Sequence, residues 1–430
     1  MRFSKKIKLQ NPAEFKEKVL IWAQQFDEFT WLDSNNYPQH YSNYDAVLAV
    51  DAHTELNCSY KDAFNKLKSY KNQSNDFIFG YLSYDLKNDT ENLTSENLDG
   101  LHFPGLCFFQ PKKLFFFKDD VLDVQYLKMF KDEVDEDLKS IEKIDKTSNA
   151  LNQSDVKIKK RITKKQYLKQ LDKVLEHIRR GDIYEVNFCQ EFYAENTIIN
   201  PLQVYHHLNE ISNPPFASFI KFKDKFVISA SPERFVKKEG NKIISQPIKG
   251  TAKRLTDKKA DKKLALALSN DPKERSENIM IVDLVRNDLS KTAIKGSVKV
   301  EELCKVYSFD QVHQLISTIS AEVEVKTDGV AIIKSLFPMG SMTGAPKLSA
   351  MQIIEKLEAT KRGVYSGAIG YFTPDGDFDF NVVIRSILYN ESNNYLSYSV
   401  GGAITAKSDP EKEYEECLLK AIAMKKALKS

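Results

Sequence analysis

The chain has 430 residues, of which 42% are hydrophobic, and its 63 basic and 60 acidic side chains leave a net charge of +3. This length and composition allow a large core in one or more domains. The net charge lacks the basic excess of typical nucleic-acid-binding domains, so nucleic acid is not expected as a partner.

Cysteine usage and hydropathy narrow the class of protein further. The five cysteines are scattered and form no CxxC or CxxH pair, which argues against a structural zinc site or a disulfide framework. The first residues contain no apolar stretch of signal-peptide length, and no run of 18 apolar residues occurs. We therefore expect a cytoplasmic protein without a membrane partner.

Composition divides the chain into two regions joined by a charged segment. Residues 1–130 mix short helical patterns with aromatic strand patterns such as 76–81. Residues 131–160 are rich in Asp, Glu, Lys, Ser and Asn with little apolar periodicity, which predicts a charged helix and linker. We expect residues 1–130 and 161–430 to form one interlocked body.

The second region has clear helix and hairpin signals. A helix is predicted to begin at Thr163, whose capping box includes Gln166, and to end at Gly181. Further patterns predict two hairpins, at 216–235 and 236–248, and then two helices that meet near 270–272.

The last elements complete the predicted fold class. Residues 378–389 form one predicted strand with two largely apolar faces, so both faces should be covered, and 395–400 should pair with it. A final helix is predicted from a capping box of Ser408 and Glu411 with Pro410 between them. The fold class is α+β, with antiparallel strands and covering helices.

Lys249 lies in the segment QPIKGTA, between a Pro-Ile pair and a Gly-Thr turn. Most lysines are solvated, but this setting predicts an amine held in place. Glu233 and His313 are further candidates for acid or base chemistry, since both side chains transfer protons in enzymes.

Two acidic pairs recur at helical spacing: Glu274 with Glu277, and Glu413 with Glu416. Residues three apart share a helix face, and either pair alone is typical of a solvated surface. Two such pairs, each leading into apolar residues, indicate carboxylates that converge on a hard cation. Mg²⁺ with several waters and a substrate carboxylate is the natural occupant.

Positive groups indicate an anionic ligand. Arg385 lies in the predicted apolar strand, where its guanidinium needs a carboxylate, either from an internal salt bridge or from a substrate. Gly401-Gly402 follows a predicted strand and 344–346 precedes a helix, so both turns offer backbone N–H groups to an anion. Together with Lys347 they favour a small acid with two carboxylates.

Seven motifs then resemble one family in its own order. SPERF, PIKGT, ERSENIMIVDLVRNDLS, GSMTGAPK, RGVYSGAIGYF, VVIRS and SDPEKEYEE are similar to those of chorismate-utilising enzymes, over roughly residues 160–425. The family includes anthranilate synthase component I, isochorismate and salicylate synthases, and aminodeoxychorismate synthase component I. The resemblance implies antiparallel sheets packed as a sandwich with helices outside. The N-terminal third matches loosely, and there 31–34 resembles a segment that forms a tryptophan pocket in relatives.

The resemblance implies roles for the candidate residues. Anthranilate synthases typically carry Ala where this chain has Lys249. Aminodeoxychorismate synthases carry Lys, which attacks C2 of chorismate while Glu233 protonates the departing C4 hydroxyl, and ammonia then adds at C4. Glu277 and Glu416 would hold Mg²⁺ directly, with Glu274 and Glu413 beside them. The implied substrate contacts are Thr343, Lys347, Tyr365, Arg385, Gly401 and Gly402.

One departure concerns a histidine of the family. Relatives place it directly before Leu in a segment ending HLVS, whereas this chain has His313 one position earlier and Gln314 in that slot. The resemblance therefore leaves two candidates, His313 and Gln314, for the hydrogen bond that this histidine makes in relatives.

The expected reaction is amination of chorismate to 4-amino-4-deoxychorismate, a precursor of 4-aminobenzoate and folate. One alternative is anthranilate synthase component I. Another is a non-catalytic regulator that binds chorismate or tryptophan, but such a regulator would have no use for both Glu233 and Lys249. No glutaminase-like GxCxGxQ segment is present, so we expect ammonia from a separate amidotransferase subunit. At pH 7 a lysine nucleophile needs its pKa lowered by about 3.4 units, and we expect desolvation and Mg²⁺ to lower it.

Overall fold

The computed structural model describes residues 1–37, 43–145, 156–309 and 312–429. The strands are β1 (Arg2–Lys8), β2 (Glu28–Asp33), β3 (Ala46–Cys58), β4 (Ile78–Leu82), β5 (Leu106–Lys118), β6 (Val121–Leu127), β7 (Lys159–Lys160), β8 (Glu185–Ala194), β9 (Phe216–Phe222), β10 (Lys225–Ser231), β11 (Arg234–Glu239), β12 (Lys242–Gln246), β13 (Ile248–Lys253), β14 (Lys299–Ser308), β15 (Val312–Glu322), β16 (Gly344–Ala345), β17 (Ala368–Phe372), β18 (Phe378–Val382), β19 (Ser386–Asn390) and β20 (Tyr395–Thr405).

Helices cover the strands. They are α1 (Pro12–Ala23), α2 (Ala63–Ser74), α3 (Lys87–Thr90), α4 (Val134–Glu142), α5 (Lys164–Arg180), α6 (Pro201–Ser212), α7 (Lys258–Asn270), α8 (Pro272–Ser290), α9 (Gly329–Leu336), α10 (Lys347–Leu357), α11 (Pro410–Lys420) and α12 (Ile422–Ala427), with short 3₁₀ turns at Tyr84–Leu86, Lys128–Glu133 and Gly340–Met342.

The strands form two antiparallel limbs that share the long strand β5. The first limb runs β1-β6-β5-β3-β2-β9-β10-β19-β20-β8. The second runs from β5 through β4-β17-β18-β11-β12-β15, and β15 also pairs with β13 and β14. Because β5 pairs with β6 at one end and β4 at the other, it joins the two limbs.

Aromatic side chains fill the space between the limbs. Phe222 of the first limb meets Tyr81 and Phe109 of the second, each with ring centroids 5.6 Å apart. A second apolar cluster lies between the first limb and helices α1, α4, α5, α6, α11 and α12. Each fully buried aromatic side chain contributes about 1.5–3 kcal/mol, so these layers supply much of the folding free energy. The predicted α+β sandwich is confirmed.

Strand pairing crosses the predicted boundary between the two regions. In the first limb β2 pairs with β9, and in the second β4 pairs with β17. The predicted charged helix corresponds to α4, and part of the predicted linker, 146–155, lies outside the described residues.

Most local predictions for the second region are confirmed. The Thr163–Gln166 capping box is present, and α5 ends at Gly181 with φ of 82°. Both hairpins form, as β9–β10 and β11–β12, and α7 and α8 meet at Asp271. None of the helices in the described ranges is both long and apolar enough to cross a membrane.

Two local predictions were wrong. The predicted strand 378–389 is interrupted between β18 and β19, because Arg385 takes a left-handed conformation with φ of 52° that a strand cannot accommodate. The cap of α11 is Asp409, whose side chain accepts from the Lys412 N–H at 3.0 Å. Ser408 lies one residue before the cap and accepts from the Thr405 N–H instead.

Candidate active site

Lys249 lies in a β-bulge of β13. The pairing of β13 with β15 shifts register between Ile248 and Thr251, and Gly250 has φ of 91°. A Cβ atom at residue 250 would lie 3.0 Å from Glu274 Oε2, so conformation and space both favour glycine there. Bulges redirect side chains out of the regular alternation of a strand. The PIKGT motif therefore builds the turn that aims the Lys249 amine.

The Lys249 amine forms a buried ion pair. Its Nζ donates to Glu185 Oε1 at 3.0 Å, and the two side chains are 13% and 1% exposed. Burial lowers the pKa of Lys249, but the charges of Glu185, Glu277 and Glu233 outweigh it and raise the pKa above its usual value. Burial therefore acts in the direction expected from the sequence, and the opposing charge of Glu185 was not anticipated; the effect of Mg²⁺ on this pKa stays a prediction.

Glu233 lies at the corner between β10 and β11 and is 4% exposed. Ser341 Oγ donates to its Oε1 at 2.6 Å. Burial raises the pKa of Glu233 to about 7, although Ser341, Lys249 and Arg385 oppose the rise. A carboxyl group with this pKa still carries a proton in a large share of molecules at neutral pH, which is the property of a general acid.

The raised pKa of Glu233 makes its contribution to stability depend on pH. The folded protein holds this proton to about pH 7, whereas the unfolded chain loses it near the usual 4.5. Because the folded state then binds more protons, stability falls as pH rises from about 4.5 to about 7. Glu233→Gln, which stays neutral, should therefore raise the melting temperature more at pH 8 than at pH 5. Calorimetry of both proteins checks this, and an equal shift at the two pH values would show that Glu233 is not destabilised as an anion.

Four carboxylates from α8 and α11 face one another. Glu416 raises the pKa of Glu274 and of Glu413, and Lys273 interacts electrostatically with all four carboxylates. In both glutamates burial is the largest cause of the raised pKa. Lys420 Nζ lies 2.9 Å from Glu416 Oε1 and donates to the Gly401 carbonyl at 3.0 Å. The structure thus brings together the two acidic pairs that the sequence analysis selected.

Glu277 is the member of this acidic cluster with unused hydrogen-bonding capacity, although its Oε1 lies 3.7 Å from Lys273 Nζ. Burial raises its pKa to about 7, against the fields of Lys249 and Lys273, and its Oε1 is buried with no hydrogen-bond partner. Across the described part of the chain, no three His, Cys, Asp or Glu side chains are close enough to enclose a metal ion. The arrangement suits Mg²⁺, which keeps several waters and takes one or two carboxylates.

Arg385 has no salt-bridge or hydrogen-bond partner for its guanidinium among the described residues. Burial lowers its pKa, and the field of Glu233 opposes this. Its left-handed backbone is also uncommon for a long side chain. The internal salt bridge considered from the sequence is absent from the described residues, so the guanidinium is available to a ligand.

Strand β8 carries the polar side chains that link the site. Glu185, Asn187 and Cys189 alternate along one face of it. Cys189 Sγ lies 3.5 Å from the Tyr365 hydroxyl, and the Asn187 N–H donates to the Thr343 carbonyl at 2.8 Å. Tyr365 and Thr343 therefore both lie against β8.

Gly401 and Gly402 lie inside β20, opposite Cys189 and Phe188 of β8, and do not follow a strand as predicted. A Cβ atom at Gly401 would come within 2.3 Å of the Phe188 carbonyl oxygen, so this contact between strands requires glycine. A Cβ atom at Gly402 would lie 3.4 Å from Glu413 Oε2, which places this glycine beside the acidic cluster.

Lys347 has internal partners. Its amine donates to Asp288 and, at 3.1 Å, to the Leu336 carbonyl, and the pair is buried. Burial lowers its pKa, and the charged groups that modify this effect are Asp288, Lys291 and Glu91, none of which belongs to the site. The structure therefore offers no support for Lys347 as a substrate contact.

His313 and Gln314 point to opposite faces of β15 because they are consecutive in a strand. His313 is 2% exposed and lies 3.0 Å from Asp261 Oδ1 and 2.8 Å from Ser308 Oγ, so it joins β15 to α7. The Gln314 Oε1 atom is buried with no hydrogen-bond partner. Of the two, Gln314 has the unused hydrogen-bonding capacity.

The segment resembling a tryptophan pocket lines a separate cavity of about 60 Å³. Asp33 and Ser34 contribute to its wall with Asp45 and Arg234. Trp31 itself is buried, and its indole N–H donates to the Tyr205 hydroxyl at 3.0 Å.

Sequence reasoning missed three residues of the site. Glu185 pairs with Lys249, and Ser341 binds Glu233. Asn278 donates to the carbonyls of Lys249 and Leu315, at 3.3 and 3.2 Å, and so ties α8 to both strands. The available signal was the serine of GSMTGAPK, since Glu185 is one of several polar residues in the β8 sequence EVNFCQEFYA.

Comparison with known proteins identifies the family. The profile described as "chorismate binding enzyme" matches residues 17–426. The chain belongs to the chorismate-binding enzymes. This chorismate-binding enzyme is also similar in structure to anthranilate synthase component I from Streptococcus pneumoniae TIGR4, with a TM-score of 0.79, 25% identity, and coverage of 91% of this chain and 93% of that one.

Two relatives have a more specific name. The chain is 44% identical over 264 residues to aminodeoxychorismate synthase of Streptomyces griseus, covering 61% of this chain and 36% of that protein. It is 40% identical over 255 residues to aminodeoxychorismate synthase component 1 of Escherichia coli K12, covering 59% and 56%. The matched part of this chorismate-binding enzyme thus spans only about a third to a half of these relatives.

Proposed function

We propose that this chorismate-binding enzyme converts chorismate and ammonia to 4-amino-4-deoxychorismate. The observation that carries the proposal is a lysine amine, Lys249, held in a bulge between a buried acid, Glu233, and a cluster of carboxylates. The names of the two relatives support the same reaction. A site that only bound chorismate would not need a buried amine beside a carboxyl group that is protonated near neutral pH.

Binding comes first. The Arg385 guanidinium, which has no partner of its own in the described chain, takes a substrate carboxylate as a charge-assisted pair. Tyr365, Gly401 and Gly402 line the same site from the turn before β17 and from β20. The contact with Arg385 fixes the ring so that one face meets Lys249, and positioning of this kind lowers the barrier before any bond changes.

The first chemical step makes a covalent bond to the protein. The neutral Lys249 amine attacks C2, the two conjugated double bonds of the ring each shift by one bond, and the C4–O bond breaks. Glu233 gives its proton to the departing oxygen, which leaves as water. General acids contribute about 10²–10⁴-fold to such steps. The pKa of about 7 for Glu233 leaves the proton available at the pH where the amine must be neutral.

Ammonia completes the reaction. It attacks C4, the two ring double bonds shift back, and the bond between Lys249 Nζ and C2 breaks. The ammonium formed at C4 returns a proton to Glu233. Chorismate and ammonia thus give 4-amino-4-deoxychorismate and water, and the enzyme returns to its starting state.

The acidic cluster fits Mg²⁺, held directly by Glu277 and Glu416 with Glu274 and Glu413 beside them. The observation that supports this fit is the buried Oε1 of Glu277, which accepts no hydrogen bond from the described residues and whose salt bridge to Lys273 Nζ is long, at 3.7 Å. When bound, Mg²⁺ supplies positive charge that neutralises a substrate carboxylate. In its absence Lys273 and Lys420 partly balance the cluster.

Removing one metal-binding carboxylate should weaken both Mg²⁺ binding and turnover. We expect Glu277→Gln to reduce Mg²⁺ affinity at least about 10-fold, since the ion loses one of its two direct protein ligands. Calorimetric titration of the protein with Mg²⁺ measures this without substrate. Glu415→Gln is the matched control, because Glu415 is 63% exposed and neighbours Glu416 on α11. Full activity in excess chelator would contradict the Mg²⁺ assignment.

We propose that ammonia is supplied from glutamine by a separate amidotransferase subunit. The name "component 1" of the Escherichia coli relative supports a partner component. The cytoplasmic location expected from the sequence stays a prediction.

Anthranilate synthase component I is the second candidate, favoured by the structural similarity over 91% of the chain. Chorismate, Mg²⁺ and ammonium with the purified chain separate the two. We expect 4-amino-4-deoxychorismate, which a lyase converts to 4-aminobenzoate, and no fluorescent anthranilate. Glutamine in place of ammonium should give no product. Direct formation of anthranilate would overturn the proposal.

A further inference from the structure

We propose that Glu185 is the proton acceptor of Lys249: it holds the amine as an ion pair in the resting site and takes its proton when the amine attacks. The proton-transfer step rests on the proposed function, whereas the ion pair between Glu185 and Lys249 is independent of it.

The placement of Glu185 is specific to Lys249. Glu185 begins β8, opposite Thr405 of β20 and Ala345 of β16. The carboxylate is 1% exposed, so bulk water does not compete for the proton. Its Oε1 accepts from Lys249 Nζ at 3.0 Å, and its Oε2 is buried with no hydrogen-bond partner. Among the described side chains, Glu185 therefore has Lys249 as its one hydrogen-bond partner.

The other charged groups around the amine are less suited to this step. Glu277 and Glu274 act on Lys249 from α8, Glu233 from the β10–β11 corner, and Glu416 from α11. Glu277 and Glu416 are assigned to Mg²⁺ with Glu274 beside them, and Glu233 must carry a proton when the amine attacks. Glu185 is the carboxylate within hydrogen-bonding distance of Nζ that has no other assigned role.

The proposed attack by Lys249 conserves protons. An ammonium group has no lone pair and cannot attack. Transfer of one proton from Nζ to Glu185 Oε1 gives a neutral amine and a neutral acid in a site that water barely reaches. The amine then bonds to C2 while Glu233 protonates the oxygen leaving C4. When the Nζ–C2 bond breaks, Glu185 returns its proton and the ion pair forms again.

The experiment measures the ionisation of Lys249 directly and needs no substrate. Wild type and Glu185→Gln are pulsed with acetic anhydride, which modifies neutral amines, at a series of pH values, and peptide mass spectrometry follows Lys249, with exposed Lys253 on the same strand as the internal reference. We expect the labelling midpoint of Lys249 to fall by about one pH unit or more in Glu185→Gln, because an opposite charge within hydrogen-bonding distance is lost. The midpoint of Lys253 should not move.

Kinetics test the proton transfer itself. Below the midpoint of both proteins, where the amine still carries its proton, kcat/KM for chorismate amination should be about 100-fold lower in Glu185→Gln, the loss expected for a general base. Glu191→Gln is the matched control, since Glu191 is a buried acid of β8 that pairs with Arg161 and Tyr395. It should leave the pH profile unmoved.

Each possible result supports or overturns a specific part of the proposal. An unchanged Lys249 midpoint overturns the ion pair. A lowered midpoint with unchanged kcat/KM overturns proton acceptance while keeping the pair. A lowered midpoint in a protein that makes anthranilate rejects the proposed function and keeps the pair. If Glu185→Gln does not fold, Glu185→Asp replaces it, with a smaller shift in the same direction because the shorter side chain lengthens the contact.

Discussion

Lys249→Ala should reduce kcat for amination of chorismate by roughly 10⁴-fold or more, the scale seen when a covalent nucleophile is removed. The substrate contacts of Arg385 remain, so chorismate should bind with nearly unchanged affinity. Rapid-quench product analysis and equilibrium binding measure the two quantities separately.

Because Lys249 forms an ion pair with Glu185, the Lys249→Ala variant needs controls for stability. Alanine leaves the Glu185 carboxylate buried and unpaired, which is destabilising by about 3–5 kcal/mol. The double variant with Glu185→Gln should recover most of that stability and remain inactive. Lys253→Ala, on the same strand but exposed, should behave as wild type. Amination by Lys249→Ala at near wild-type rate would remove Lys249 from the mechanism.

Arg385→Ala should lower kcat/KM for chorismate about 100-fold or more, since a hydrogen-bonded ion pair contributes up to about 3 kcal/mol. The same variant should melt at or above the wild-type temperature. The guanidinium is partly buried and has no partner in the described chain, so alanine removes a partly desolvated charge and breaks no ion pair. Steady-state kinetics and calorimetry on one preparation test both halves.

Arg234→Ala is the matched control for this split. Arg234 is 2% exposed and binds Asp379 through two nitrogens, each at 3.0 Å, and Gln246 at 2.8 Å. Its loss should lower the melting temperature by several degrees, as expected for a broken buried pair. An Arg385→Ala protein that melts early but binds chorismate normally would make Arg385 a structural residue.

Local sequence signals predicted much of the fold because they act over a few residues. The Thr163–Gln166 capping box and the turns of the two hairpins need only their own neighbours. The break at Arg385 was invisible to this reasoning, since an apolar pattern on both faces does not reveal a left-handed residue. Its backbone conformation depends on tertiary contacts.

The candidate site also contains residues that the sequence indicated and residues that only the fold reveals. The PIKGT lysine and the paired glutamates of α8 were readable from motif and spacing, and the structure brings them together. The sequence did not indicate which charged side chains pair with one another. Glu185 is 64 residues from Lys249, and Asp288 is 59 residues from Lys347, so only the folded chain shows which lysine faces the site and which is used internally.

The most direct test of the account is the mass of the Lys249 peptide during turnover. Wild-type protein mixed with chorismate and Mg²⁺ without ammonium, then acid-quenched, should carry chorismate minus water on Lys249, and added ammonium should discharge the adduct as 4-amino-4-deoxychorismate. An enzyme that makes this product with ammonium, while Lys249 stays unmodified in every quenched sample with and without ammonium, would contradict the account.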